Sequence, residues 1–122
     1  MALILIVEDD QDVCETYLDI LESEQHTVYA VADSVQAIDL LVRKRMKPDL
    51  VILDMNLAGE SGLVVLGLIR RIPRLNNTKV IIASGYPDLA KKAIDDWGAN
   101  LFLQKPVAMD TLKDTARHFE NL

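Results

Sequence analysis

Four times along the chain a short apolar run stops abruptly at a polar tip. Residues 3–7 read Leu-Ile-Leu-Ile-Val before Glu8-Asp9-Asp10, and residues 50–53 read Leu-Val-Ile-Leu before Asp54. Residues 79–83 end at Ser84, and residues 101–103 lead through Gln104 to Lys105 and Pro106. A run this short and this uniformly apolar is how a strand covered on both faces reads, because alternate side chains point to opposite sides and both must be buried. Such strands belong to parallel sheets with helices on each face.

The intervening segments supply those helices. Within residues 11–24, Cys14, Tyr17, Leu18 and Leu21 keep the spacing of one helix face, and Asp10 is placed to cap it. Residues 27–32 form a short second strand near an edge. Ser34 is placed to cap a second helix that turns Ile38, Leu41 and Val42 inward, ends in Arg43-Lys44-Arg45 and stops before Pro48. Basic residues at a helix carboxyl end favour its dipole, so this cluster reads as structural. Residues 62–71 make a third helix, and Pro73 with Asn76-Asn77 a loop. A fourth helix starts in Gly85-Tyr86-Pro87-Asp88, carries Ala90, Ala93, Ile94 and Trp97 on one face, and ends at Gly98. The fifth turns Met109, Leu112, Ala116 and Phe119 inward.

Five strand–helix units with right-handed crossovers give an α/β fold, a doubly wound five-stranded parallel sheet in three layers. At 122 residues, half of them hydrophobic, the chain has material for a single domain over residues 1–122. The expected strand order is 2-1-3-4-5, which sets strands one and three side by side at the switch point. A net charge of -6 argues against direct nucleic-acid binding, which needs a basic surface. Residues 2–7 are too few to span a bilayer and lack a basic leader, so a cytoplasmic protein without membrane insertion is expected. The lone Cys14 reads as a core residue.

That topology collects Glu8, Asp9, Asp54, Ser84 and Lys105 on one rim of the sheet. Carboxylates a few ångströms apart repel by about 3–4 kcal/mol per pair at an effective dielectric near 20, and one lysine offsets only part of this. A divalent cation removes the conflict, and hard oxygen ligands with waters suit Mg²⁺. A carboxylate beside such an ion and a lysine is a place for a phosphoryl group, with Lys105 and Ser84 holding its oxygens.

In the order and spacing of these landmarks, residues 3–10, residues 49–62, Val80-Ile81-Ile82-Ala83-Ser84 and the stretch from Gly98-Ala99 to Lys105-Pro106, the sequence resembles the receiver domain of two-component response regulators. The resemblance covers essentially the whole chain and implies a flavodoxin-like sandwich. It implies that Asp54 is the phosphoacceptor, taking its phosphoryl group from a phosphohistidine on a sensor histidine kinase or histidine phosphotransfer protein. Asp9 would hold Mg²⁺ (or Mn²⁺) directly and Glu8 through water, with Asp54 and the backbone carbonyl of Asn56 completing the protein ligands. Ser84 and Lys105 match the switch hydroxyl and the phosphate-binding lysine, and Phe102 the aromatic that moves with the hydroxyl. Asn56 and Tyr86 stand where they can set the lifetime of the phosphoryl group. Partners would dock on helix four, strand five and helix five: a downstream protein, an output domain outside this chain, or a second copy brought together by phosphorylation. The protein would be a switch rather than an enzyme.

Three departures accompany the match. Ala58 stands where a proline often precedes the glycine, Gly85 where alanine is common, and Val107 where an aromatic often follows Lys-Pro. None removes a reacting group, and Phe102 has no hydroxyl, so a switch here works by packing. His26 and His118 lie away from the acidic rim and read as solvated or packed. An aspartyl-phosphate hydrolase resembling the haloacid dehalogenase group would want an acid where Asn56 stands, and a flavodoxin-like cofactor site would place Glu8-Asp9-Asp10 against a phosphate. A receiver-fold scaffold that works by contact alone is the remaining alternative.

Overall fold

The computed structural model describes residues 1–120. Strand β1 (Leu3–Val7), helix α1 (Gln11–Ser23), β2 (Thr27–Val31), α2 (Ser34–Ile38) with a π-helical extension (Asp39–Arg43), and β3 (Leu50–Asp54) follow in order. A small hairpin of β4 (Asn56–Leu57) and β5 (Glu60–Ser61) leads to α3 (Leu63–Arg71) and a single 3₁₀ turn (Pro73–Leu75). Strand β6 (Lys79–Ser84), α4 (Pro87–Trp97), β7 (Leu101–Gln104) and α5 (Met109–Glu120) complete the order.

The main sheet is parallel throughout, in the order β2-β1-β3-β6-β7. With the hairpin strands set aside this is the expected 2-1-3-4-5 arrangement, with β2 at an edge. Strict alternation along the strands feeds two cores. Leu5, Val7, Val51, Leu53, Val80 and Ile82 pack against α2, α3 and α4 on one side. Ile4, Ile6, Leu50, Ile52, Ile81 and Ala83 pack against α1 and α5 on the other. This is the physical reason the runs carry no polar residue until their ends. No helix among the described residues is long and apolar enough to cross a membrane.

Local details differ from the sequence reading in four places. Asp33, not Ser34, caps α2, its side chain accepting from the Gln36 amide at 2.8 Å. The helix then widens: the Lys44 amide donates to the Asp39 carbonyl five residues back, which swings Val42 to the surface while Leu41 stays buried. Arg74 donates to the carbonyls of Leu41 and Met46, satisfying the loosened end. On the amphipathic helices the inward stripe is narrower than expected, leaving Ile94 and Met109 exposed. The hairpin of β4 and β5, where the sequence reading assigns no strand, is the fourth difference.

Other expectations match. Asp10 caps α1, accepting from the amides of Asp12 and Val13. Gly98 ends α4 with a φ of 78°. His26 is packed rather than solvated, its Nδ1 accepting from the Ala2 amide at 3.1 Å.

Candidate functional site

The carboxyl ends of β1, β3, β6 and β7 bring the polar tips together. Glu8, Asp9 and Asp54 each offer a carboxylate oxygen within 4.8 Å of the others. Lys105, just beyond β7 and joined to Pro106 by a cis peptide bond, reaches back over the rim. Its Nζ lies 2.5 Å from Glu8 Oε1 and 3.4 Å from Asp54 Oδ2. Ser84 closes β6, one residue beyond Ala83, the register partner of Asp54.

Each side chain is held by its neighbours. Asp54 is buried; its Oδ1 accepts from the Asn56 amide at 3.2 Å, which turns Oδ2 toward Lys105. Gly62 passes so close beneath that a Cβ there would lie 2.2 Å from the Asp54 carbonyl oxygen, so only glycine fits. Asp9 Oδ2 accepts from the Ala58 amide at 2.8 Å. Ser84 Oγ accepts from the Tyr86 amide at 2.9 Å, and no acceptor for its own proton is found among the described residues. Phe102, on β7, packs against the α2–α3–α4 side of the core, in register with Ile82.

The charges are out of balance. Burial pushes the Glu8 carboxyl up to about 7; Lys105 pulls the other way, Asp54 adds to the rise, and the Asp10 amide opposes it. Burial disfavours the Lys105 ammonium, but the Glu8 hydrogen bond and charge, with Asp54, leave it raised above its ordinary value. Glu8 and Asp54 share one ammonium while Asp9 lies within 4.8 Å of both, so the site holds more carboxylate than Lys105 can pair. The remedy is another cation, and hard carboxylate oxygens converging on one point fit a divalent ion of the Mg²⁺ kind.

The structure thus gathers Glu8, Asp9, Asp54, Ser84 and Lys105 into one site, with Asn56 beside it. It does not bring Phe102 into that cluster, and Tyr86 is 58% exposed, sharing a shallow cleft with Asn56, Gly59 and Glu60. Sequence reasoning missed the amide of Ala58 and the link from Glu60 to Ser34. The only signal for them was Ala-Gly between two short polar-flanked pairs, too brief for periodicity to register. Cys14 is partly buried, and burial, then Glu8 and Glu15, push its thiol up, which disfavours the thiolate.

A five-stranded parallel sheet in this order, with acids, a lysine and a hydroxyl at its carboxyl rim, defines a class of doubly wound α/β proteins. Within it, the chain belongs to the response regulator receiver domain family, which matches residues 4–117. The chain is 29% identical over 117 residues to sporulation initiation phosphotransferase F of Bacillus subtilis, covering 95% of this chain and 91% of that protein. It is 38% identical over 119 residues to the response regulator protein FleR of Pseudomonas aeruginosa, covering 96% of this chain but only 24% of that longer protein. In fold it is similar to the receiver domain of a sensor histidine kinase from Pseudomonas aeruginosa, with a TM-score of 0.82 at 22% identity over 99% of this chain and 98% of that one. That structure is described as having a magnesium ion coordinated in its active site cleft. Receiver domains are signalling switches in two-component systems rather than enzymes that turn over a separate substrate.

Proposed function

We propose that this chain is a phosphorylation-operated switch in which Asp54 accepts a phosphoryl group from the phosphohistidine of a sensor histidine kinase or phosphotransfer protein. The observation that carries the reading is Lys105, whose ammonium stands between Glu8 and Asp54 on a rim with more acid than it can neutralise. In the transfer, an Asp54 oxygen bonds to phosphorus as the bond from phosphorus to the imidazole nitrogen breaks and its electron pair leaves with the ring. The product is an acyl phosphate.

Asp9, Asp54 and the Asn56 backbone carbonyl, with Glu8 through water, would hold Mg²⁺, or Mn²⁺ in its place; the convergence of the three carboxylates supports a divalent ion, and the receiver domain from Pseudomonas aeruginosa is described with magnesium in its cleft. When bound, the ion neutralises charge on the phosphoryl oxygens. Lys105, no longer facing a free Asp54 carboxylate, pairs with one of those oxygens. Ser84, whose proton has no partner among the described residues, donates to another. The Ser84 loop is drawn toward Asp54, and Phe102 turns into the space it leaves. Asn56 and Tyr86 flank the group and control the access of water, setting its lifetime.

The output surface in this reading is the outer face of α4, β7 and α5, where Leu89, Ile94 and Met109 are exposed. A downstream protein, an output domain or a second copy of the chain docks there, in the cytoplasm, with no direct contact to nucleic acid or membrane. The described residues act as a single receiver unit. Intact-mass measurement after incubation with acetyl phosphate tests the reading. A gain of one phosphoryl group that needs Mg²⁺ and is absent from Asp54→Asn supports it, and an equal gain in Asp54→Asn overturns it.

A further inference from the structure

Ala58 stands where proline often precedes the glycine, and the structure gives that departure a consequence. Proline has no N–H and a φ locked near -65°. Ala58 has a φ of 51° and uses its N–H to hold Asp9 Oδ2 at 2.8 Å. Both features are closed to proline. Gly59 follows with a φ of 85°, so the two central residues of the hairpin are both left-handed, as a two-residue type I′ turn requires.

A hairpin with two residues in each strand cannot fix itself. Its pairing is Asn56 with Ser61 and Leu57 with Glu60; Leu57 anchors the first strand in the core, but Ala58, Gly59 and the second strand are exposed and the pairing alone is too little to hold them in one place. The missing support comes from outside. Glu60 Oε1 accepts from Ser34 Oγ at 2.6 Å, and Ser34 is 2% exposed at the first residue of α2. Asp33 caps that same first turn, so the Ser34 hydroxyl issues from a fixed point. An unbroken chain of contacts then runs from α2 through Ser34, Glu60 and the hairpin to the Ala58 amide and Asp9. The same Asp9 carboxylate that this amide holds is the one that offers an oxygen to the cluster with Glu8 and Asp54.

We infer that Ser34 and Glu60 are positioning residues for the divalent-cation site: they fix the hairpin against α2, so that the Ala58 amide orients Asp9 before an ion arrives. The inference rests on the reading of Glu8, Asp9 and Asp54 as a Mg²⁺ site. Orientation of a ligating carboxylate by a neighbouring hydrogen bond raises affinity because the free site no longer samples unproductive rotamers.

Calorimetric titration of the whole chain with Mg²⁺, paired with a denaturant melt of each variant, tests it. Ser34→Ala and Glu60→Ala should each weaken Mg²⁺ binding by about tenfold. The double variant should be no weaker than the weaker single one, since both break one link. Glu60→Gln keeps an acceptor for Ser34 and should retain wild-type affinity. Ser34→Ala changes no charge, so its loss cannot come from long-range electrostatics. Glu60 is exposed, so its replacement leaves the fold intact if Ser34→Ala proves unstable. Unchanged affinity in Glu60→Ala, or an equal loss in Glu60→Gln, overturns the inference while leaving the metal site standing. A wild-type chain that binds no Mg²⁺ overturns the site and the inference together.

Discussion

Lys105 Nζ stands 2.5 Å from Glu8 Oε1, nearer than to any oxygen of Asp54. The lysine is thus committed mainly to a carboxylate that is 2% exposed, and Asp54 holds only a share of it. The arrangement stores a site that is satisfied when Glu8 keeps a proton or when a further cation enters.

The first expectation concerns pH. Glu8 rises from the ordinary 4.5 to about 7 in the folded chain, so the metal-free fold binds a proton there that the unfolded chain has released. Its stabilising effect is complete below pH 4.5 and is lost as pH rises through about 7. Mg²⁺ displaces that proton, so its affinity should climb over the same interval. Thermal melts at about pH 6 and about pH 8 should show a larger gain from Mg²⁺ at the higher pH. A gain that does not change with pH would separate Glu8 from the metal.

Two glycines near the rim should behave oppositely. A Cβ at Gly62 would lie 2.2 Å from the Asp54 carbonyl oxygen, whereas one at Gly85 meets nothing within 4 Å. Gly62→Ala should cost about 2 kcal/mol or more and displace Asp54, slowing phosphorylation. Gly85→Ala should be neutral or stabilise by about 0.4–1 kcal/mol through the unfolded state. Urea denaturation of both variants decides it; a tolerated Gly62→Ala would show that the loop has room to move.

Transmission of the signal is expected to run through Ser84 and Phe102. A phosphoryl group brings roughly -1.5 to -2 charge and strong acceptor oxygens, and Ser84 has a proton to give. Ser84→Ala should accept phosphate yet fail to rearrange, and Phe102→Ala should weaken partner binding without blocking phosphorylation. Amide NMR with beryllofluoride reads both. Shifts along α4 and β7 in Ser84→Ala equal to those of the wild type would break the proposed coupling.

Tyr86 is the expected determinant of lifetime. It is exposed and lines a cleft with Asn56 and Glu60. Tyr86→Ala should lose its phosphoryl group severalfold faster, by about 1 kcal/mol in the barrier. Equal decay rates of the two phosphorylated proteins would remove it from that role.

What was legible in the sequence was what repeats at short range. Residues 50–53 had to be apolar because Val51 and Leu53 face one core and Leu50 and Ile52 the other, and that requirement shows in the letters. The polar tips followed from the ends of such runs, so the sequence alone puts Glu8, Asp9, Asp54, Ser84 and Lys105 on one rim. Contacts that depend on a single turn could not. Ser34 reads as a helix cap by residue type, but its hydroxyl turns to Glu60, and Asp33 takes the cap. Val42 fits a helical stripe until a π turn shifts the register. That Lys105 leans to Glu8 rather than Asp54 depends on side-chain reach, which spacing does not encode.

The most direct measurement locates the phosphoryl group. The chain is incubated with acetyl phosphate and Mg²⁺, reduced with borohydride, which converts an aspartyl phosphate to homoserine, and mapped by peptide mass spectrometry. The expected result is homoserine at position 54 and nowhere else, lost when the metal is chelated. Homoserine at Asp9 or Asp10, or no conversion in the presence of Mg²⁺, would contradict the assignment of Asp54 as the phosphoacceptor.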